Sequence, residues 1–172
     1  MIGSLLYLTA SRLDISYSVC VCDRYQSCPK ESHLKAVKRI SRYINGTVDL
    51  GILYSFDTNT NLAGFSDADW AGDVDDRKST TGGCFYLGNN LVSWYNKKQN
   101  CISLSTAESE YIALGSCCSQ MLWMRQMLAD YGNKIVTIDF VTIENQIADI
   151  FTKALDFQRF NYLKQSLGVC TL

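Results

Sequence analysis

The chain has one proline and one histidine in 172 residues, and each scarcity excludes something. With Pro29 alone, no proline-rich linker divides the chain. With His33 as the sole imidazole base, a serine triad is not expected. Gly64-Phe65-Ser66 imitates a nucleophile elbow, but Ala68 stands where its second glycine belongs. No glycine-rich phosphate loop is present, and no small-molecule cofactor is expected. The apolar runs are too short and too interrupted to span a bilayer, so no membrane partner is expected. The N-terminus lacks the basic start and cleavage site of a signal peptide. An intracellular protein, cytoplasmic or nuclear, is therefore expected, and its eight cysteines read as reduced thiols. Cys20, Cys22, Cys28 and His33 lie close together, but their spacing matches no common zinc pattern. There is no internal repeat and no low-complexity tract. What is present is apolar material: hydrophobic residues make up 47% and charged residues 19%, enough for a real core. One domain, or one domain with a helical lead-in, is expected.

The net charge of −1 is unevenly spread. Residues 1–55 hold seven Lys/Arg against four Asp/Glu, and residues 56–131 hold five against nine. A basic front and an acidic middle would suit a protein that touches phosphates in one place and holds metal in another; ordinary scatter is the alternative.

The apolar period changes along the chain. Residues 2–10 read as a buried helix, and Asp14 to Cys28 as a second, with Asp14 a candidate N-cap. A third runs from Pro29 or Ser32 to Asn45, where Gly46 stops it. On that helix Lys35, Lys38, Arg39 and Arg42 share one face, and Leu34, Val37, Ile40 and Ile44 lie opposite. This basic face is the candidate nucleic-acid contact; a solvated surface is the alternative. From Gly51 the period becomes two. Gly51–Ser55 and Leu62–Asp67 are strand candidates, and Gly82–Leu87 and Leu91–Lys97 form a hairpin across Gly88-Asn89-Asn90. Ser105-Thr106-Ala107-Glu108 is a capping box that opens a long helix to about Tyr131. Ile135–Val141 reads as a strand, and Asn145 to Ala154 and Asp156 to Leu167 as short helices. The order implies an α/β fold with a mixed sheet flanked by helices.

Four carboxylates stand at well-held places. Asp67 and Asp69 are at a strand end in the run from Gly64 to Gly72. Glu110 lies in the first turns of the long helix; Glu108 can close the capping box on Ser105, which leaves Glu110 to point elsewhere. Asp149 lies on the short helix after the last strand. Carboxylates gathered together cannot all stay ionised without a cation, and an all-oxygen set suits Mg²⁺ or Mn²⁺. Two such ions can activate water and stabilise the leaving oxygen in phosphodiester cleavage. The alternative is that each acid is a surface charge, and that reading is kept for Asp73, Asp75 and Asp76, which share a polar loop with Arg77 and Lys78. A calcium loop starting at Asp67 is excluded, because Lys78 occupies its twelfth place.

These motifs, in this order, resemble the end of the Pol polyproteins of copia-type LTR retrotransposons. Residues 1–9, 11–17 and 33–40, with Tyr43-Ile44-Asn45-Gly46-Thr47, are similar to the connection that follows the reverse transcriptase. Residues 65–73, 77–84 and 103–113 are similar to the ribonuclease H domain, and residues 144–155 to its C-terminal motif. The resemblance implies a helical connection over residues 1–50 and a ribonuclease H-like domain over 51–172. It implies hydrolysis of the RNA strand of an RNA–DNA hybrid with two Mg²⁺ or Mn²⁺ ions, beside the upstream reverse transcriptase. Asp67 matches the first catalytic aspartate, Glu110 the catalytic glutamate and Asp149 the last aspartate, with Asp69 a further candidate ligand.

The chain departs from that pattern in one region. Between Tyr131 and Lys134, where only Gly132-Asn133 stands, the family has several tens of further residues, with a strand carrying an Asp-Asn motif and the third catalytic aspartate. No Asp-Asn motif occurs in this chain. The domain is therefore expected to be incomplete between residues 131 and 135, its sheet lacking one central strand. The chemistry is expected to be lost or very weak. Alternatively, Ile135–Val141 slides into the vacant place, and Asp139 imitates the missing ligand. A second reading, from a different class, is a non-catalytic remnant with weak nucleic-acid binding through the Lys35–Arg42 face.

Overall fold

The computed structural model describes residues 1–56, 58–130 and 145–171. The expected strand Ile135–Val141, Asp139 and the shortened connection after Tyr131 lie outside the described residues. Four helices and four strands come first: α1 (Ile2–Leu8), α2 (Ser16–Asp23), α3 (Glu31–Asn45), β1 (Leu50–Ile52), β2 (Leu62–Asp69), β3 (Thr80–Leu87), β4 (Asn90–Lys98) and α4 (Thr106–Ala129). A 3₁₀ turn (Ile147–Phe151), α5 (Phe157–Ser166) and β5 (Val169–Thr171) follow.

The N-terminal helices form a cluster of their own. Leu5, Ile15, Val19, Cys22, Val37 and Ile40 are buried together. On α3 the expected two faces are present, with Val37 and Ile40 inside and Lys35, Lys38, Arg39 and Arg42 exposed; Leu34, placed with the apolar residues, is exposed too. Asp14 does not cap α2. It lies in a 3₁₀ turn (Leu13–Ile15), and its carboxylate accepts from Arg12 Nε and Nη2 at 3.0 and 2.8 Å. A bidentate guanidinium is a stronger partner than a backbone amide, so it takes the carboxylate.

β2, β3 and β4 form an antiparallel meander in the order β2-β3-β4. Gly88 has φ 61° in the two-residue turn between β3 and β4, a conformation glycine adopts without steric cost. Side chains alternate across β3, so its two faces have different partners. Phe85 packs with Leu62, Cys117 and Met121 under α4. Cys84 packs with Leu13, Leu91, Phe151, Leu163 and Leu167 on the other face. The helix–sheet–helix layering is α/β and compatible with a ribonuclease H-like fold. Leu13 belongs to the same apolar cluster as α5, and Trp94 Nε1 donates to Thr9 O at 3.0 Å, so contacts cross the boundary expected at residue 50. β1 pairs antiparallel with β5, a partnership the sequence reading did not contain.

Two local expectations change. Glu108 accepts from Leu104 N at 2.6 Å, one residue before Ser105, whose hydroxyl accepts from Glu108 N at 3.1 Å; the cap of α4 is reciprocal but shifted. Asp73 is not a surface charge. It is 6% exposed, with Lys98 Nζ at 2.7 Å and Arg24 Nη1 at 3.4 Å, because the β2–β3 connection folds its carboxylate inward between α2 and β4. No helix among the described residues is long and apolar enough to cross a membrane.

Candidate active site

Asp67 is the sixth residue of β2 and lies opposite Gly82 of β3. Asp67 and the α-carbon of Gly82 therefore face the same side of the sheet, the side that the 3₁₀ turn covers. A Cβ on Gly82 would stand 2.6 Å from Thr152 Cγ2 and 2.7 Å from Phe151 Cβ. The absent side chain lets the turn, and Asp149 with it, lie against the strand.

The edge of β2 that faces away from β3 brings in a second helix. Gly88 N donates to Asn61 O at 2.8 Å, which in this register directs the backbone groups of odd-numbered β2 residues toward β3. Those of Ser66 and Ala68 then point the other way. Gln146 Nε2 donates to Ser66 O at 2.8 Å, and Ala68 N donates to Glu110 Oε1 at 3.4 Å. Side chains thus satisfy two of the backbone groups on this edge of β2. Ser109, beside Glu110, is fully buried, and its carbonyl accepts from Gln99 Nε2 at 3.0 Å, which ties this first turn of α4 to the end of β4.

The structure thus brings Asp67, Glu110 and Asp149 together from a strand, a helix and a 3₁₀ turn. Asp67 and Asp149 are 7% and 5% exposed, whereas Glu110 stands at the open rim. Asp69 is half-buried on the same side of β2 as Asp67, with its carboxylate over the α-carbon of Gly72. Lys35, Lys38, Arg39 and Arg42 are elsewhere, on the helical cluster.

Three groups that the sequence reading did not single out complete the site. Lys153 Nζ lies 2.8 Å from Asp149 Oδ1 and 3.7 Å from Asp67 Oδ2. Arg159 Nη2 lies 3.4 Å from Asp149 Oδ2. The Thr152 hydroxyl donates to Asp67 Oδ2 and has the Asp149 carbonyl oxygen as its other acceptor, 3.1 Å away. The signal for Lys153 was available: it is four residues after Asp149, the spacing of an ion pair on one helical face.

Electrostatics follow from this packing. Burial pushes the Asp67 carboxyl above its usual range; the Thr152 hydrogen bond and Lys153 oppose that, and the charge of Asp149 adds to it. Burial also raises Asp69, against the pull of Lys153, and raises Glu110 together with the charge of Asp67. For Lys153 burial acts downward, but the Asp149 hydrogen bond and the Asp67 charge outweigh it, and the ammonium is held above its ordinary value.

The donor chemistry here is that of a hard divalent cation, but the arrangement does not fit one. Among the described residues no group of three His, Cys, Asp or Glu side chains is placed to hold a metal ion. Both oxygens of Asp149 face cationic side chains, and Asp67 Oδ2 is engaged by Thr152.

Known proteins resemble most of the chain. It is 39% identical over 145 residues to the retrovirus-related Pol polyprotein from transposon RE1 of Arabidopsis thaliana, which covers 84% of this chain and 10% of that protein. It is 40% identical over 132 residues to the corresponding polyprotein from transposon RE2 of the same plant, covering 77% and 9%. It is 39% identical over 132 residues to that from transposon TNT 1-94 of Nicotiana tabacum, covering 76% and 10%. The chain spans about a tenth of the length of these relatives. No family model matches the chain, and no solved structure does.

Proposed function

Because the chain belongs to the retrovirus-related Pol polyproteins of transposons, we propose that residues 51–172 are a ribonuclease H-like piece of such a polyprotein. The chemistry of the intact domain is metal-dependent hydrolysis of the RNA strand of an RNA–DNA hybrid, inside the cell, with residues 1–50 connecting it to a reverse transcriptase. In this copy that chemistry is lost or very weak. The observation that carries the family chemistry is the convergence of Asp67, Glu110 and Asp149 from three separate stretches. The loss is argued from the missing Asp-Asn segment and from carboxylates already engaged by Lys153, Arg159 and Thr152.

The deciding experiment is cleavage of a labelled RNA–DNA hybrid by the purified chain with Mg²⁺ or Mn²⁺, beside Asp67→Asn. Background cleavage in both is the expected result. Robust metal-dependent cleavage that disappears in Asp67→Asn would show that the shortened domain still works, and Asp139 would be the next residue to change.

A binding reading has its own support, because Lys35, Lys38, Arg39 and Arg42 are all exposed on one face of α3. If these residues meet phosphates, changing all four to alanine lowers the slope of log affinity against log salt by about three to four units. Titrating the hybrid at several salt concentrations measures this, and Asp67→Asn leaves the slope unchanged.

A further inference from the structure

Lys153 touches the carboxylate cluster at the place where a cation would be needed. Its ammonium bridges two acids from different elements, Asp149 on the 3₁₀ turn at 2.8 Å and Asp67 on β2 at 3.7 Å. Its side chain is 39% exposed, whereas those of the two acids are 9% and 6% exposed, so the lysine lies between buried charge and solvent. The backbone anchors it there: Lys153 N donates to Asp149 O at 3.4 Å, and Thr152 between them is fully buried against Asp67. Arg159 holds the second oxygen of Asp149 from α5. Two buried carboxylates side by side need compensating charge, and a lysine ammonium and a divalent ion cannot occupy the same few ångströms.

We infer that Lys153 is the resident counter-charge of this cluster and excludes a divalent cation from it. The folded chain then neither needs metal nor gains stability from it, and removing the ammonium turns the same carboxylates into a cation-binding site. The inference builds on the carboxylate cluster of the proposed function, but its readout is metal uptake and not cleavage, so it can fail while the absence of cleavage stands.

The test uses the full chain and Mn²⁺ as the probe, comparing wild type with Lys153→Met and Lys153→Arg. Thermal unfolding in EDTA and in millimolar Mn²⁺ is followed, together with the electron paramagnetic resonance signal of free Mn²⁺. Wild type and Lys153→Arg are expected to melt at the same temperature in both solutions and to leave the free Mn²⁺ signal unchanged. Lys153→Met is expected to melt lower in EDTA, to recover several degrees with Mn²⁺ and to deplete the free signal. The inference is overturned if folded Lys153→Met takes up no Mn²⁺. It is equally overturned if wild type takes up Mn²⁺ and Asp67→Asn abolishes that uptake, a measurement that stands even if Lys153→Met fails to fold.

Discussion

Asp73 shows how a residue that reads as polar decoration acts inside the fold. Burial would push its carboxyl up, but Lys98, with the Asp75 and Asp76 amides, holds it below the usual carboxylate range. Its folded-state pKa is therefore lower than its unfolded one. The stability it contributes is fully present above the unfolded value, about 3.9, and is lost as pH falls through the folded one. Asp73→Asn should cost about 2 kcal/mol at neutral pH, the scale of a lost hydrogen bond to a charged group. Urea unfolding from pH 7 down to about pH 2 should show the gap to wild type closing at the acid end. The sequence could not reveal this residue's role, because Arg24, Lys98 and Asp73 meet only once α2, β4 and the β2–β3 connection are in place. The meeting of Asp67, Glu110 and Asp149 was legible only through the motifs around each one; of their partners, Lys153 was signalled by its spacing from Asp149, and Thr152 and Arg159 required coordinates.

At the scale of elements, local chemistry predicted best where the signal was strong. α3 runs from Glu31 to Asn45 with Gly46 after it, and α4 begins at Thr106 with Ser105 as its cap, both near the expected limits. The stretch Asn145 to Ala154 reads as a short helix, and a 3₁₀ turn over Ile147–Phe151 is what forms there, packed close against β3 at Gly82. β5 escaped detection because three residues carry too little periodicity, and its partner is far away in the chain. Gly82→Val is the sharpest test of that close approach. Its side chain would collide with Thr152 and Phe151, and overpacking of this kind costs about 1–3 kcal/mol. Chemical denaturation would measure the cost. Gly115 on α4 is a control, since a Cβ there meets nothing within 4 Å, and Gly115→Ala should be neutral or mildly stabilising.

At the scale of the molecule, the described residues form three apolar clusters, two of them built on the sheet, and the one that contains Cys84 and Leu91 depends on the C-terminal third. Phe151, Leu163, Leu167 and Val169 fill it from one side, and Cys84 and Leu91 from the other. Deleting residues 169–172 removes β5, uncovers β1 and takes away buried Val169; the expected loss is about 2–3 kcal/mol, read as a lower denaturant midpoint. The pairing of Leu50 with Thr171 also has a consequence for the making of the chain. A ribosome releases β1 long before its partner strand exists. Throughout that interval the nascent polypeptide carries β1 with its backbone groups unpaired by β5, open to chaperones and proteases. A premature stop codon just after α5 would leave α1 to α5 encoded and yet yield a product that cellular quality control should clear.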